Sequence, residues 1–189
     1  VPQWGNYTYV WTNEYAPMGR SFLNTFFVAV CSIIGQLSFA SLAAYAFAKI
    51  DFRGKHIVFA LFLASMMVPS QVTIIPRFML FRTIGLYNTL WAIILPNLFG
   101  VTAMFMLRQF YMGLPNDLVE AAKIDGAGHF RIFAQIMLPL TKAAVVSMVI
   151  LSFISSWNEY LSPLVFLINK KSYMVSQIII WKRIRIRPT

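Results

Sequence analysis

The sequence predicts an all-α integral membrane protein with four membrane spans, on two observations. Hydrophobic residues make up 59% and charged residues only 12% of the 189 positions, with a mean hydropathy of +0.67, whereas a water-soluble domain has about a quarter of its residues charged. The basic residues are also sparse, standing singly between long uncharged runs instead of forming a stripe. This composition excludes a soluble enzyme. It also gives the net charge of +10 and pI of 10.1 a meaning other than nucleic-acid binding, because isolated Lys and Arg at the ends of apolar runs are what helix-flanking loops carry.

Taken in order, residues 1–20 form an extracytoplasmic segment and residues 21–169 the transmembrane core. A helix needs about 20 uncharged residues to cross a roughly 30 Å hydrocarbon layer. Four runs meet that length: Ser21 to Ala48, His56 to Pro76, Thr83 to Leu107, and Ala143 to Asn169, the last interrupted only by Glu159. Residues 170–189 form a basic tail. Its apolar part before Lys182 is too short to cross a bilayer, and Lys182, Arg183, Arg185 and Arg187 suit solvent or lipid headgroups. The chain starts at Val1 with neither an initiator Met nor a signal-peptide pattern, as expected of a piece of a longer membrane protein.

Orientation follows from the loops. One side holds Lys49, Arg53, Lys55, Arg108, Lys123, Arg131 and Lys142; the other holds Arg20, Arg77, Arg82, Lys170 and Lys171. The excess places loop 108–142 in the cytoplasm.

Each run has its own character. The first carries Ala40, Ser41, Ala43, Ala44, Ala46 and Ala48, small residues that let helix backbones approach closely. Its Cys31 reads as a small buried residue, and a single cysteine excludes both an internal disulfide and a cysteine metal cluster. The second run contains Pro69, Ser70, Gln71, Thr73 and Pro76, and the third Pro96 and Asn97. A proline in a membrane helix frees a carbonyl, so each run predicts either a structural kink or a break beside a solute cavity. Trp157, Asn158, Glu159 and Tyr160 lie about 25 Å along the helix from Lys142, near the outer end of the core. They fit an aromatic interface belt or the mouth of a path.

Loop 108–142 carries the most information. Gly113, Leu114 and Pro115 close one segment, and the Asp117 to Glu120 spacing resembles an acidic capping box opening a helix. Gly126 suits the C-cap of that helix, and a second helix runs from about Gly128 to Met137, where Pro139 stops it. Leu118, Ala121 and Ala122 share a face thin enough to enter a partner's cleft. The same residues also fit a surface helix with no partner.

Glu120, Ala121, Ala122, three residues, Gly126, nine residues, then Ile136, Met137, Leu138 and Pro139 match the E-A-A-x3-G-x9-I-x-L-P signature at every fixed position. That signature is similar to the one found in membrane subunits of binding-protein-dependent ABC importers. Further segments resemble the carbohydrate-uptake branch, in particular the maltose-type permease: SLAAYAFA at 41–48, FRG at 52–54, VPSQ at 68–71, Ile75 and Pro76, GLYNT at 85–89, and WNEYLSPL at 157–164. The resemblance covers about Phe22 to Leu167. It implies the type I permease core of a six-span family, with the first and sixth spans missing and a final segment, Tyr173 to Thr189, that departs from the family.

The resemblance further implies a multi-pass subunit of the cytoplasmic membrane, surrounded by lipid. Its implied partners are a second permease subunit, two ATPase subunits and an extracytoplasmic solute-binding protein, and the solute is a sugar, an oligosaccharide or a polyol phosphate. Glu120, Ala121, Ala122, Gly126, Ile136, Leu138 and Pro139 become the ATPase-coupling residues, and Gln71, Asn97, Trp157, Asn158, Glu159 and Tyr160 the candidate solute path. No catalytic residue, metal ligand or cofactor is expected. The sequence has no G-x-x-x-x-G-K-[ST] loop, so ATP hydrolysis is assigned to a separate subunit. A secondary transporter or another polytopic membrane protein is the alternative, but ion-coupled transport usually uses ionisable groups inside the spans, and the spans offer only Glu159.

Overall fold

The computed structural model describes residues 4, 11 and 18–185, with side chains to residue 180. Most of the predicted extracytoplasmic segment 1–20 and the end of the tail, including Arg187, therefore lie outside the described residues. Lys182, Arg183 and Arg185 are described only as helical backbone.

Among the described residues all regular structure is helical. The first helix, α1 (Met18–Lys49), has 32 residues. Its buried positions include Ser21, Thr25, Val28, Ser32, Leu37, Ala40, Ser41, Ala44 and Tyr45, the three-to-four spacing of a single packing face. Phe26, Phe27, Ile34, Phe39 and Leu42 are exposed. A helix apolar on its exposed face as well suits lipid rather than water. The small-residue prediction holds in part, since Ala40 and Ala44 are buried while Ala43, Ala46 and Ala48 are half-buried.

The other predicted spans are interrupted. The second consists of α2 (Lys55–Ser65) and α3 (Ser70–Thr83), with a break at residues 66–69. At this break Met66 N–H and Met67 N–H donate to Leu63 O and Ala64 O, each at 3.1 Å. This is the tightened last turn of a helix that Pro69 cannot extend. Pro76, expected to end the span, instead lies inside α3, which continues to Thr83. The third comprises α4 (Trp91–Asn97) and α5 (Val101–Met112), beginning and ending later than the predicted 83–107. The fourth comprises α9 (Lys142–Asn158) and α10 (Leu161–Phe166), broken at residues 159–160.

Two stretches, Met18–Lys49 and Trp91–Met112, are long and apolar enough to cross a membrane, and there are up to four if each bent pair forms one span. The protein is therefore an all-α, multi-pass membrane protein.

The residues group into two compact units. One holds residues 1–32, 71–96 and 153–189, with Phe166, Leu167 and Met174 in its core. Phe81 packs on Phe166 at 5.5 Å between ring centroids, and Phe78 meets Tyr87 edge-on at 5.0 Å. The other unit holds residues 33–70 and 97–152, centred on Ala44, Leu107, Tyr111, Ile132 and Met137. In that second unit Gly35 lies against Leu98, and Gly100 against Gln36, closely enough that a Cβ on either glycine would overlap the facing side chain. Here glycine permits α1 to touch the break before α5.

Candidate functional site

The loop after α5 folds as two short helices, α6 (Asp117–Ile124) and α7 (His129–Ile132). The end of α6 is a Schellman turn. Gly126 N–H donates to Lys123 O at 3.0 Å and Ala127 N–H to Ala122 O at 2.9 Å, while Gly126 has φ +77. Left-handed backbone of this kind is why glycine stands there.

Three sequence expectations about the loop change. First, the capping box does not form: the N-cap is Asn116, and no side chain caps α6. Second, Pro139 does not stop the second helix. Residues Phe133–Met137 widen into a π-helical turn that leads directly into α8 (Leu138–Leu140), which has Pro139 in its first turn. A proline is tolerated there because N–H groups of a first turn have no obligatory partner. The chain bends by 78° only after Leu140, before α9. Third, Ala122 does not share an outward face with Ala121 and Leu118. Ala122 and Val119 are buried within the unit, whereas Leu118, Glu120, Ala121, Ile124 and Gly126 are exposed. Of the C-terminal signature residues, Ile136 and Leu138 are half-buried and Pro139 is exposed.

The loop is fastened to α1 and α5 by polar contacts within the same unit. Ser41 Oγ and Tyr111 OH are 2.8 Å apart, and Tyr45 OH is 3.2 Å from His129 Nδ1. Lys49 Nζ donates to Leu114 O and to Asn116 Oδ1, both at 2.6 Å. Arg108 Nε donates to Phe47 O at 3.3 Å, and its guanidinium lies 4.1 Å from the centroid of the Phe59 ring.

The candidate path residues fall in both units. Gln71 is exposed in the first turn of α3, and Trp157 to Tyr160 belong to that same unit. Asn97 is exposed at the end of α4, in the other unit. Asn158 Nδ2 donates back to Ile154 O at 2.8 Å as α9 ends. Glu159 Oε1 accepts the Ser162 N–H at 2.9 Å, and Glu159 O accepts from Ser176 Oγ at 2.6 Å. Glu159 thus satisfies a backbone donor exposed by the break. Trp157 lies edge-on to Phe22 at 5.5 Å and stacks on Phe153 at 5.4 Å.

Sequence reading missed Asn88. It is the one non-glycine residue with positive φ (+63) among the described residues, and its Oδ1 accepts the N–H groups of Ile168 at 3.0 Å and Asn169 at 2.9 Å. Its own N–H donates to Phe166 O at 3.0 Å. The available signal was the Gly-Leu-Tyr-Asn run itself, since Asn is the side chain that best tolerates left-handed backbone. Asn88→Ala is expected to cost about 1–3 kcal/mol, from lost acceptors and from strain together. Asn88→Gly, which relieves the strain, should cost less. The thermal unfolding midpoints of the two purified variants check the order.

The family described as "Binding-protein-dependent transport system inner membrane component" matches residues 36–187. The chain belongs to this family. The match reaches residue 187 and so includes most of the segment after Tyr173. The permease is 34% identical over 165 residues to the sn-glycerol-3-phosphate transport system permease protein UgpE of Yersinia enterocolitica, covering 85% of this chain and 59% of that protein. It is 36% identical over 173 residues to the arabinooligosaccharides transport system permease protein AraQ of Bacillus subtilis, covering 92% and 61%. The chain thus spans about six-tenths of the length of these relatives. Its fold is similar to a chain in the crystal structure of a bacterial ABC transporter involved in the import of the acidic polysaccharide alginate, with TM-score 0.85, 24% identity, and coverage of 97% of this chain and 64% of that one.

Proposed function

We propose that this permease forms half of the translocation path of an ATP-driven, maltose-type importer for a sugar, an oligosaccharide or a related polyol phosphate. A second permease subunit supplies the other half, an extracytoplasmic binding protein delivers the solute, and two separate ATPase subunits hydrolyse ATP. Loop 108–142 lies in the cytoplasm and docks one ATPase subunit. The observation that carries this reading is the form of the loop: a glycine-capped pair of short helices, fastened to two spans, with Leu118, Ala121, Ile124 and Phe130 left exposed. Glu120, Ala121 and Gly126 meet the partner directly. Ala122, Ile136, Leu138 and Pro139 hold the loop in shape.

The named cargoes of the relatives, a phosphorylated polyol and arabinooligosaccharides, support a hydroxyl-rich solute. Non-helical backbone at membrane depth is tolerated where it is buried in protein or lines a water-filled cavity. Within one unit, the breaks beside Gln71 and Trp157 to Tyr160 are therefore natural places for solute contact, and within the other the break beside Asn97 is. Glu159→Gln tests this assignment. A glutamine retains an acceptor for Ser162 N–H, so the break should keep its shape and membrane levels should be normal. Uptake in vesicles of the complete importer should nevertheless fall about tenfold if the carboxylate touches the solute, as for loss of a charged hydrogen bond. Unchanged uptake would reduce residues 157–160 to an interface belt.

A further inference from the structure

Ser41, Tyr45 and Lys49 stand four residues apart, on one line along α1. Each meets a different part of the structure leading into the loop: the end of α5 through Tyr111, the first residue of α7 through His129, and the entry to α6 through Leu114 and Asn116. We propose that Lys49 is the positioning residue that hitches α6 to α1, so that movement of the loop by an ATPase subunit is passed to the membrane helix. The proposal rests on the docking reading above and adds the route by which docking becomes transport.

Two features single out Lys49 from the other contacts. Both of its bonds are charge-assisted and measure 2.6 Å, in the short range for an ammonium donating to oxygen. The second feature is the use made of Asn116. An asparagine at an N-cap ordinarily accepts from the second or third N–H of its own helix. Here Asn116 Oδ1 makes no such bond and receives Lys49 instead. The residue best suited to stabilise α6 locally is thus used to tie that helix to another element.

This arrangement makes the consequence of losing Lys49 specific. Without the ammonium, Asn116 is free to turn back and cap α6, so the helix persists while its link to α1 is lost. Lys49→Met keeps the apolar stem along the helix end and removes only the donors. Lys49→Arg keeps the positive charge and several N–H donors on a long stem.

The experiment uses the complete importer in vesicles, measuring copurification of the ATPase subunit, ATP hydrolysis, and solute transported per ATP. Lys49→Met is expected to retain the ATPase subunit while transport per ATP falls about tenfold, in line with the loss of hydrogen bonds to a charged group. Lys49→Arg should recover most of that loss. Asn116→Ala should give a smaller loss, and the Lys49→Met, Asn116→Ala pair should lose less than the sum of the two single losses, because both remove one shared link. Normal transport per ATP in Lys49→Met, additive losses in the pair, or loss of the ATPase subunit from Lys49→Met would each overturn the proposal. Ile124→Asp, on the exposed face, is run in parallel and is expected to release the ATPase subunit. If it does not, the docking reading falls and this proposal with it, whereas failure at Lys49 alone leaves docking standing.

Discussion

Gly126→Val in the complete permease is expected to abolish most solute-stimulated ATP hydrolysis while leaving the binding protein's affinity for solute unchanged. Gly126 has φ +77, and no atom lies within 4 Å of the position its Cβ would take. The penalty inside the subunit is therefore backbone strain, about 1–2 kcal/mol for an L-residue in the left-handed region and larger for a β-branched one. That strain acts on the Schellman turn, which sets the direction of the chain from α6 to α7. A distorted turn misplaces the exposed Leu118, Ala121 and Ile124 relative to Phe130. Gly126→Asn separates strain from obstruction, because asparagine tolerates the same φ and still adds a side chain. Near-normal stimulation in Gly126→Asn with loss in Gly126→Val would assign the effect to the backbone. Equal losses would assign it to crowding against the partner.

Ala122→Asp is expected to have the largest effect on the subunit itself. Ala122 is 7% exposed, packed on the inner side of α6 beside the buried Val119. An aspartate there is a charge taken from water with no partner, a cost of several kcal/mol, against a total stability of about 5–15 kcal/mol for an ordinary domain. Folded protein recovered in detergent should drop sharply. Ala121→Asp, one residue away but exposed, should fold normally and lose only ATPase binding. Equal yields for the two variants would contradict the burial of Ala122.

The contrast between these two alanines shows how far sequence reading reaches. The signature spacing locates the loop and both its helices, because Gly126 and Pro115 are strong local punctuation. It does not reveal which side of α6 faces inward, since Leu118, Val119, Ala121 and Ala122 offer apolar atoms on more than one side and only tertiary packing chooses. The Asp117 to Glu120 spacing misled for a related reason. Lys49, distant in sequence, draws Asn116 into a tertiary bond that no local pattern records.

The spans were legible by their uncharged length but not by their continuity. Pro69 stands at the break between α2 and α3, whereas Pro76 lies inside α3 and Pro139 in the first turn of α8, where no helical N–H bond is lost. The break after Asn158 was foreshadowed only by a lone carboxylate in an apolar run. Glu159 proves to cap a backbone donor there.

Whether this loop joins the permease to a separate ATPase subunit can be read by site-specific photo-crosslinking. A photoreactive residue replaces Ile124, which is 86% exposed on α6, or Ile84, which is 57% exposed beside the Gly85 turn, in the complete importer. An adduct with the ATPase subunit from position 124 and none from position 84 is the predicted result. An adduct from position 84 with none from 124 would contradict both the orientation and the coupling role of the loop.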